Sequence, residues 1–246
     1  MRERRFLVEN LEATPLTLTG RERRHAVDVL RLSVGAEVAL FDGRGAQALA
    51  GVVAITADEV RLELRTSPER IRSSPIALTL AVAAPKGSRG DWLVEKCAEL
   101  GVPRLVLIDT QRSEVQPREA KLDRWRRKAV EAAKQSGAAS VMRIESGRSI
   151  AEVLAGVSAE GCVVYGATSG DAPSLHTLLD DLDRVAGGEK DVLCVVGPEG
   201  GLTEAELGLL ASRGARAMTL GAPTLRVETA AIAAAAVWAG FSAGGA

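Results

Sequence analysis

The sequence predicts an α/β protein: a small β-barrel unit at the amino end, then a mostly parallel sheet covered by helices. A change of rhythm along the chain carries this expectation. Over roughly the first 70 residues, short apolar runs alternate with tight turns, as in small barrels. Beyond Ser67-Pro68 and Ser73-Ser74-Pro75, apolar strands alternate with helical segments. That alternation is the mark of parallel strands joined by helical crossovers. The two domains are therefore placed at 1–71 and 72–246.

In the first domain, Arg5–Val8 and Leu16–Leu18 read as strands. A helix spans about Arg21–Leu32 and stops near Gly35. Glu37–Phe41 and Ala46–Thr56 flank Asp42-Gly43-Arg44-Gly45, a strong turn signal, and Val60–Arg65 follows a second turn. In the second domain the strands are Ile76–Ala84, Leu105–Ile108, Val141–Ile144, Cys162–Tyr165, Val192–Val196 and Ala217–Leu220. The helices between and after them are Asp91–Leu100, Arg118–Ser136, Ser149–Leu154, Ser174–Leu182, Glu204–Ser212 and Arg226–Trp238.

Composition narrows the function classes. Hydrophobic residues make up 46% of the 246 and charged residues 26%, which excludes wholesale disorder. Aromatic residues are only 3%, so Leu, Val, Ile and Ala must fill most of the core. The three cysteines, Cys97, Cys162 and Cys194, are scattered and fit no disulfide framework or metal spacing. With two isolated histidines besides, no metal site is expected. No apolar run is long enough to span a membrane, and the expected compartment is a reducing cytoplasm. Net charge is −1, but its distribution is uneven. Arg104–Lys128 holds eight basic against four acidic residues, whereas Asp171–Glu206 holds nine acidic against two basic. A chain so divided can meet a polyanion with one face, or simply carry two solvated faces.

Three segments that follow strands carry unusual content, and ligands in open parallel sheets bind beyond the carboxyl ends of strands. The first is Gly197-Pro198-Glu199-Gly200-Gly201-Leu202-Thr203, where glycines allow close approach to backbone and Thr203 with Glu206 forms a capping box. It matches neither a phosphate loop nor a dinucleotide fingerprint, and Glu199, Glu204 and Glu206 would repel phosphate. A cationic or neutral ligand fits, as does a ligand-free turn. The second is Leu220–Ala230, which turns through Gly221 and Pro223 into a helix start bearing Arg226 and Glu228. Glu228 suits the helix dipole, whereas Arg226 does not, which points to a role for it beyond helix stability. The third, Lys86-Gly87-Ser88-Arg89-Gly90, suits a polyanion or a solvated turn equally.

Together these segments resemble one family. KGSRGDWLVEKCAELGV (Lys86–Val102), Arg112-Ser113, KLDRWRRKAVEAAKQSG (Lys121–Gly137), GPEGGL (Gly197–Leu202) and LGAPTLRVETA (Leu220–Ala230) occur in the order of the RsmE family. That family methylates uracil N3 in 16S ribosomal RNA and belongs to the SPOUT methyltransferases. His25 and Val29-Leu30-Arg31 resemble its small PUA-like RNA-binding domain.

The resemblance implies a C-terminal α/β trefoil knot, a fold that general topology rules would not suggest. It also implies a homodimer, S-adenosylmethionine as cofactor, and 16S ribosomal RNA as partner, free or within the small ribosomal subunit. Cofactor contacts are expected from Tyr165, Val196, Gly197, Gly200, Gly201, Leu220, Gly221 and Leu225. RNA contacts are expected from Arg24, His25, Arg31, Lys86, Arg89 and Arg112, with a packing role open for His25. Arg226 is the candidate stabiliser of an anionic uracil, and Glu228 a candidate base or a dipole partner only. The chain departs from the family pattern at Ala138, where many members carry Arg, and Arg143 is the candidate substitute. Two alternatives accompany this reading: a non-catalytic RNA-binding or ribosome-assembly factor, and a SPOUT methyltransferase with another RNA target. Finally, the helix Arg226–Trp238 is apolar on nearly every face, which calls for cover, with a partner subunit as one source.

Overall fold

Short, partly buried strands build the first sheet, and near-continuous burial of its central strands builds the second. A computed structural model describes residues 4–71, 74, 76–167, 171–185 and 190–244. Of Ser73-Ser74-Pro75, only Ser74 falls within the described residues. By contacts the chain forms two compact units. One comprises Met1–Ser73 with Ala133–Val141, and the other Ser74–Ala132 with Met142–Ala246.

The first unit holds β1 (Arg5–Leu7), β2 (Leu16–Thr19), β3 (Glu37–Phe41), β4 (Ala46–Ile55), β5 (Glu59–Leu64) and β6 (Glu69–Arg70). Their order is β1-β3-β4-β5-β2, with β6 beside β4. β1 runs parallel to β3, and the other pairs are antiparallel. Among the described residues β1 and β2 stay at opposite edges, so the expected barrel is an open half-barrel. Phe6, Leu18, Leu40, Val52 and Val60 fill its core. The expected turn after β3 forms because Asp42 Oδ1 accepts from the amides of Arg44 (2.7 Å) and Ala46 (3.0 Å).

One sequence expectation needs correction here. The helix placed at Arg21–Leu32 is only α1 (Gly20–Arg24), followed by a single π-helical turn over His25–Val29. In that turn the amide of Leu30 donates to the carbonyl of His25, five residues back. Thr19 caps α1 without a side-chain hydrogen bond, and Arg31 sits at φ 50°, so neither end sustains regular helix.

The second unit is the parallel sheet. Its strands are β7 (Ile76–Ala83), β8 (Arg104–Asp109), β9 (Arg143–Ser149), β10 (Cys162–Gly166), β11 (Lys190–Val196) and β12 (Arg216–Met218). The order is β12-β10-β11-β7-β8-β9, and every pairing is parallel. The central strands β7 and β11 are apolar and buried, as a sheet covered on both faces requires. The weak strand expected at Val141–Ile144 is the edge strand β9, longer and more polar than its apolar core indicated.

The helices are α2 (Arg89–Glu99), α3 (Glu119–Ser136), α4 (Ile150–Ala155), α5 (Leu175–Val185), α6 (Glu204–Ser212) and α7 (Val227–Gly244). α4 and α6 open on full capping boxes, from Ser149 with Glu152 and from Thr203 with Glu206. α7 packs on α2 and β7. Cys97 and Cys194 are free and buried, and burial pushes both thiols up to about 12, so they behave as apolar filling. Among the described residues no helix is long and apolar enough to cross a membrane.

Candidate active site

A cavity of about 510 Å³ opens beyond the carboxyl ends of three neighbouring strands, β10, β11 and β12. Its wall comes from Gly166 and Ala167 at the end of β10, residues 196–199, 201 and 202 at the end of β11, and residues 218–225 at the end of β12. Val227 and Ala230 of α7 complete it. Val196, Leu202, Met218, Leu220 and Leu225 make it largely apolar, while glycine backbone is presented between them.

Two local devices shape the wall. In the first loop the amide of Gly201 donates to the carbonyl of Pro198 (2.8 Å), and Gly201 takes a positive φ of 73° that suits glycine. A Cβ on Gly197 would stand 3.0 Å from Leu202 Cγ, so the turn closes as tightly as a glycine permits. In the second loop Thr219 Oγ1 donates to the carbonyl of Gly221 (3.0 Å) and accepts from its amide (3.3 Å). Gly221 itself lies at φ 141°.

The chain after β8 braces the first loop. Glu206 Oε1 accepts from the amide of Gln111 (2.8 Å), while its Oε2 accepts from the amide (2.7 Å) and hydroxyl (3.0 Å) of Thr203. Burial pushes this carboxyl up, but donors from Thr203 and Gln111 and the charge of Arg112 outweigh it and hold it below the usual carboxylate range. Arg112 Nη1 then reaches the carbonyls of Gly200 (2.7 Å) and Leu202 (3.5 Å).

A charged trio stands beside the same loop. Arg89 Nη1 lies 3.7 Å from Glu199 Oε1 and 3.7 Å from Glu228 Oε1. The Glu228 side chain is 5% exposed, and its Oε2 has no hydrogen-bond partner among the described residues. Arg226, by contrast, is exposed. It precedes α7 rather than sitting in its first turn, and its carbonyl accepts from the amide of Ala230.

Of the expected cofactor contacts, Val196, Gly197, Gly201, Leu220, Gly221 and Leu225 share this wall. Gly200 lies off it and gives its carbonyl to Arg112. Tyr165 also lies off it, packed against the core of Ala81, Val106, Leu193 and their neighbours. Alternation along β10 explains this: Tyr165 faces the core while Gly166, one residue on, reaches the cavity.

The expected RNA contacts fall into three groups. Arg24 and Arg31 are exposed in the first unit, where His25 is half-buried and meets Phe6 edge-on at 6.0 Å. Lys86 is half-exposed and pairs with Glu114. Arg89 and Arg112 already have partners around the cavity. Arg143 begins β9, at the amino edge of a parallel sheet whose carboxyl edge carries the cavity. At the departure from the family pattern, Ala138 offers its carbonyl to Arg5 (3.3 Å) within the first unit.

Sequence reasoning missed Gly166, Ala167, Met218 and Thr219, and named Glu199 only as a group that would repel phosphate. Their shared signal was position, since each stands at or just after the end of a strand flanking β11 or in the loop beyond it.

Comparison with known proteins places these features in one family. A model of the RNA methyltransferase domain matches residues 72–239, and a model of the RNA methyltransferase PUA domain matches residues 18–65. The chain is 30% identical over 227 residues to a Bacillus subtilis protein named ribosomal RNA small subunit methyltransferase E, covering 89% of this chain and 87% of that protein. The protein of the same name from Synechocystis is 30% identical over 221 residues, covering 89% and 71%. A crystal structure of the Neisseria gonorrhoeae protein of that name, bound to S-adenosyl methionine, superposes with a TM-score of 0.79 at 28% identity, covering 97% and 98%. The PUA match and this likeness bear out the expected fold class, an α/β knot domain with a small PUA-like domain before it.

Proposed function

Since this chain belongs to the RNA methyltransferase family that includes the ribosomal RNA small subunit methyltransferases E, we propose that it methylates N3 of a uridine in 16S ribosomal RNA, using S-adenosylmethionine. The observation that carries this reading is the cavity. Two glycine-bearing loops meet there at the carboxyl edge of the sheet, and a solved relative carries S-adenosyl methionine. The residues fit that cofactor: the volume of about 510 Å³ suits a nucleoside with an amino-acid tail, apolar side chains alternate with glycine backbone along the wall, and a Cβ at Gly197 would crowd Leu202.

The bound cofactor supplies an electrophilic methyl group on a sulfonium. The chain must then hold a uracil in line with it and handle the N3 proton, because the neutral ring is a poor nucleophile. Arg226, exposed beside the cavity wall, is assigned to a carbonyl oxygen of the base, where a guanidinium stabilises developing negative charge. Glu228, whose buried Oε2 has no hydrogen-bond partner among the described residues, is assigned to the proton. Arg24, His25, Arg31 and Lys86 are assigned to RNA, with domains at 1–71 for RNA and 72–246 for catalysis. Arg89 and Arg112 are assigned to the shape of the site instead. The protein is read as a cytoplasmic homodimer acting on free RNA or on the small subunit.

The test is mass mapping of 16S ribosomal RNA from a deletion strain. One uridine should lose its base methylation, wild-type protein should restore it, and Gly221→Val should not. Unchanged modification after deletion would overturn the reading.

A further inference from the structure

The cavity wall bears a single kind of charge. Among its lining residues Glu199 is the one with an ionisable side chain, and that side chain is a carboxylate. Its nearest cation is shared. The same Arg89 nitrogen lies 3.7 Å from an oxygen of Glu199 and 3.7 Å from an oxygen of Glu228. One guanidinium against two carboxylates leaves one negative charge. The other cation near this loop, Arg112, donates to the carbonyls of Gly200 and Leu202 and is matched by Glu206, fastened to the neighbouring Gln111. Arg226 is exposed to solvent and off the wall, where screening is strongest.

A sulfonium cofactor carries one more positive charge than the thioether left once its methyl has gone. We propose that Glu199 makes the cavity distinguish the two by charge, favouring S-adenosylmethionine over S-adenosylhomocysteine and so easing release of the spent product. This rests on the cofactor reading above. The two molecules differ by one methyl and one charge, and an apolar wall alone would separate them little. A unit charge acting across a solvent-facing cavity shifts affinity by about three- to thirtyfold. Because the Glu199 side chain is 51% exposed, the effect sits toward the lower end, at about fivefold. Arg89 tempers the charge, and its anchoring by the buried Glu228 keeps it from cancelling Glu199 outright.

The test is calorimetric titration of the full chain with S-adenosylmethionine and, separately, with S-adenosylhomocysteine. Wild type, Glu199→Gln and Glu199→Asp are compared at low and high salt. Glu199→Gln should weaken S-adenosylmethionine about fivefold relative to S-adenosylhomocysteine, and Glu199→Asp should retain most of the wild-type ratio. Salt should narrow the ratio in wild type and leave it unchanged in Glu199→Gln. Arg89→Gln should move the ratio the opposite way, by removing the tempering cation. Equal weakening of both ligands in Glu199→Gln would overturn the charge assignment and leave the cofactor reading intact. Failure of wild type to bind S-adenosylmethionine would overturn both.

Discussion

Arg112 donates a 2.7 Å hydrogen bond to the carbonyl of Gly200, tying the segment after β8 to the glycine turn after β11. The sequence marks Arg112 as an RNA contact, but the geometry makes it a brace of the cavity wall. Arg112→Ala should therefore weaken S-adenosylmethionine binding by about five- to tenfold, the scale of one partly exposed charge-assisted bond. The melting temperature should change little, because the side chain is exposed. Calorimetry decides the matter. Unchanged cofactor affinity together with weaker RNA binding would return Arg112 to the RNA surface.

Glu206 fastens the same brace, and its charge state sets a pH dependence. Against the upward push of burial, the donors of Thr203 and Gln111 hold its carboxyl below the usual carboxylate range, so its ionised form stabilises the folded chain. That contribution is fully present above the unfolded value and is lost as pH falls through the lower folded value. The stability gap between wild type and Glu206→Gln should stay constant from neutral pH down to about 4.5 and shrink below it. Urea midpoints across that range measure it. A gap that persists unchanged into strong acid would refute the assignment.

Much of the fold was legible because period and burial agree in it. The apolar runs at Ile76–Ala84 and Val192–Val196 sit at the centre of the sheet, buried on both faces, and their ends are predicted to within two residues. The capping box of Thr203 and Glu206 placed α6 at Glu204–Ser212, where it lies. What failed was decided by contacts distant in sequence. The helix through His25 looks continuous from its residues, yet it widens into a π turn with His25 set against Phe6. Tyr165 looked like a cavity wall because it ends an apolar run, but one step along a strand reverses the face. Arg89 and Arg112 read as RNA contacts in the sequence because their partners are residues as far away as Glu228 and Gly200.

Gly90, inside the first turn of α2, is explained by Trp125 of α3. A Cβ built on Gly90 would lie 2.3 Å from Trp125 Cζ2, well inside contact distance. The indole cannot retreat easily, since it is fully buried and its Nε1 donates to Asp91 Oδ1 at 2.6 Å. In an open helix Gly→Ala gains about 1 kcal/mol. Here Gly90→Ala should instead destabilise by about 1–3 kcal/mol, the usual cost of overpacking. Urea denaturation measures it. The penalty should shrink in a Trp125→Phe background, where the ring atoms that clash are gone. A neutral or stabilising Gly90→Ala would mean that α2 and α3 are free to separate.

α7 settles how its apolar surface is covered on one side. Val227, Ala231, Ala234, Ala235 and Trp238 are buried within the chain itself, and Trp238 Nε1 donates to the carbonyl of Ile76 at 2.9 Å. Where the sequence leaves a partner subunit as one source of cover for this helix, Ala235 and Trp238 are covered without one. Trp238→Glu should act on folding: it removes a large buried side chain and leaves a carboxylate without a cation, a loss of at least about 4 kcal/mol. The positions that remain open to a second copy lie on the other face, where Ala236 is exposed. Light scattering of wild type at micromolar concentration should read a dimer. Ala236→Arg should lower that mass to the monomer while the melting temperature holds, whereas Trp238→Glu should lower the melting temperature first. A monomeric wild type would remove the dimer from the proposed function, and a dimeric Ala236→Arg would place the interface away from this face of α7.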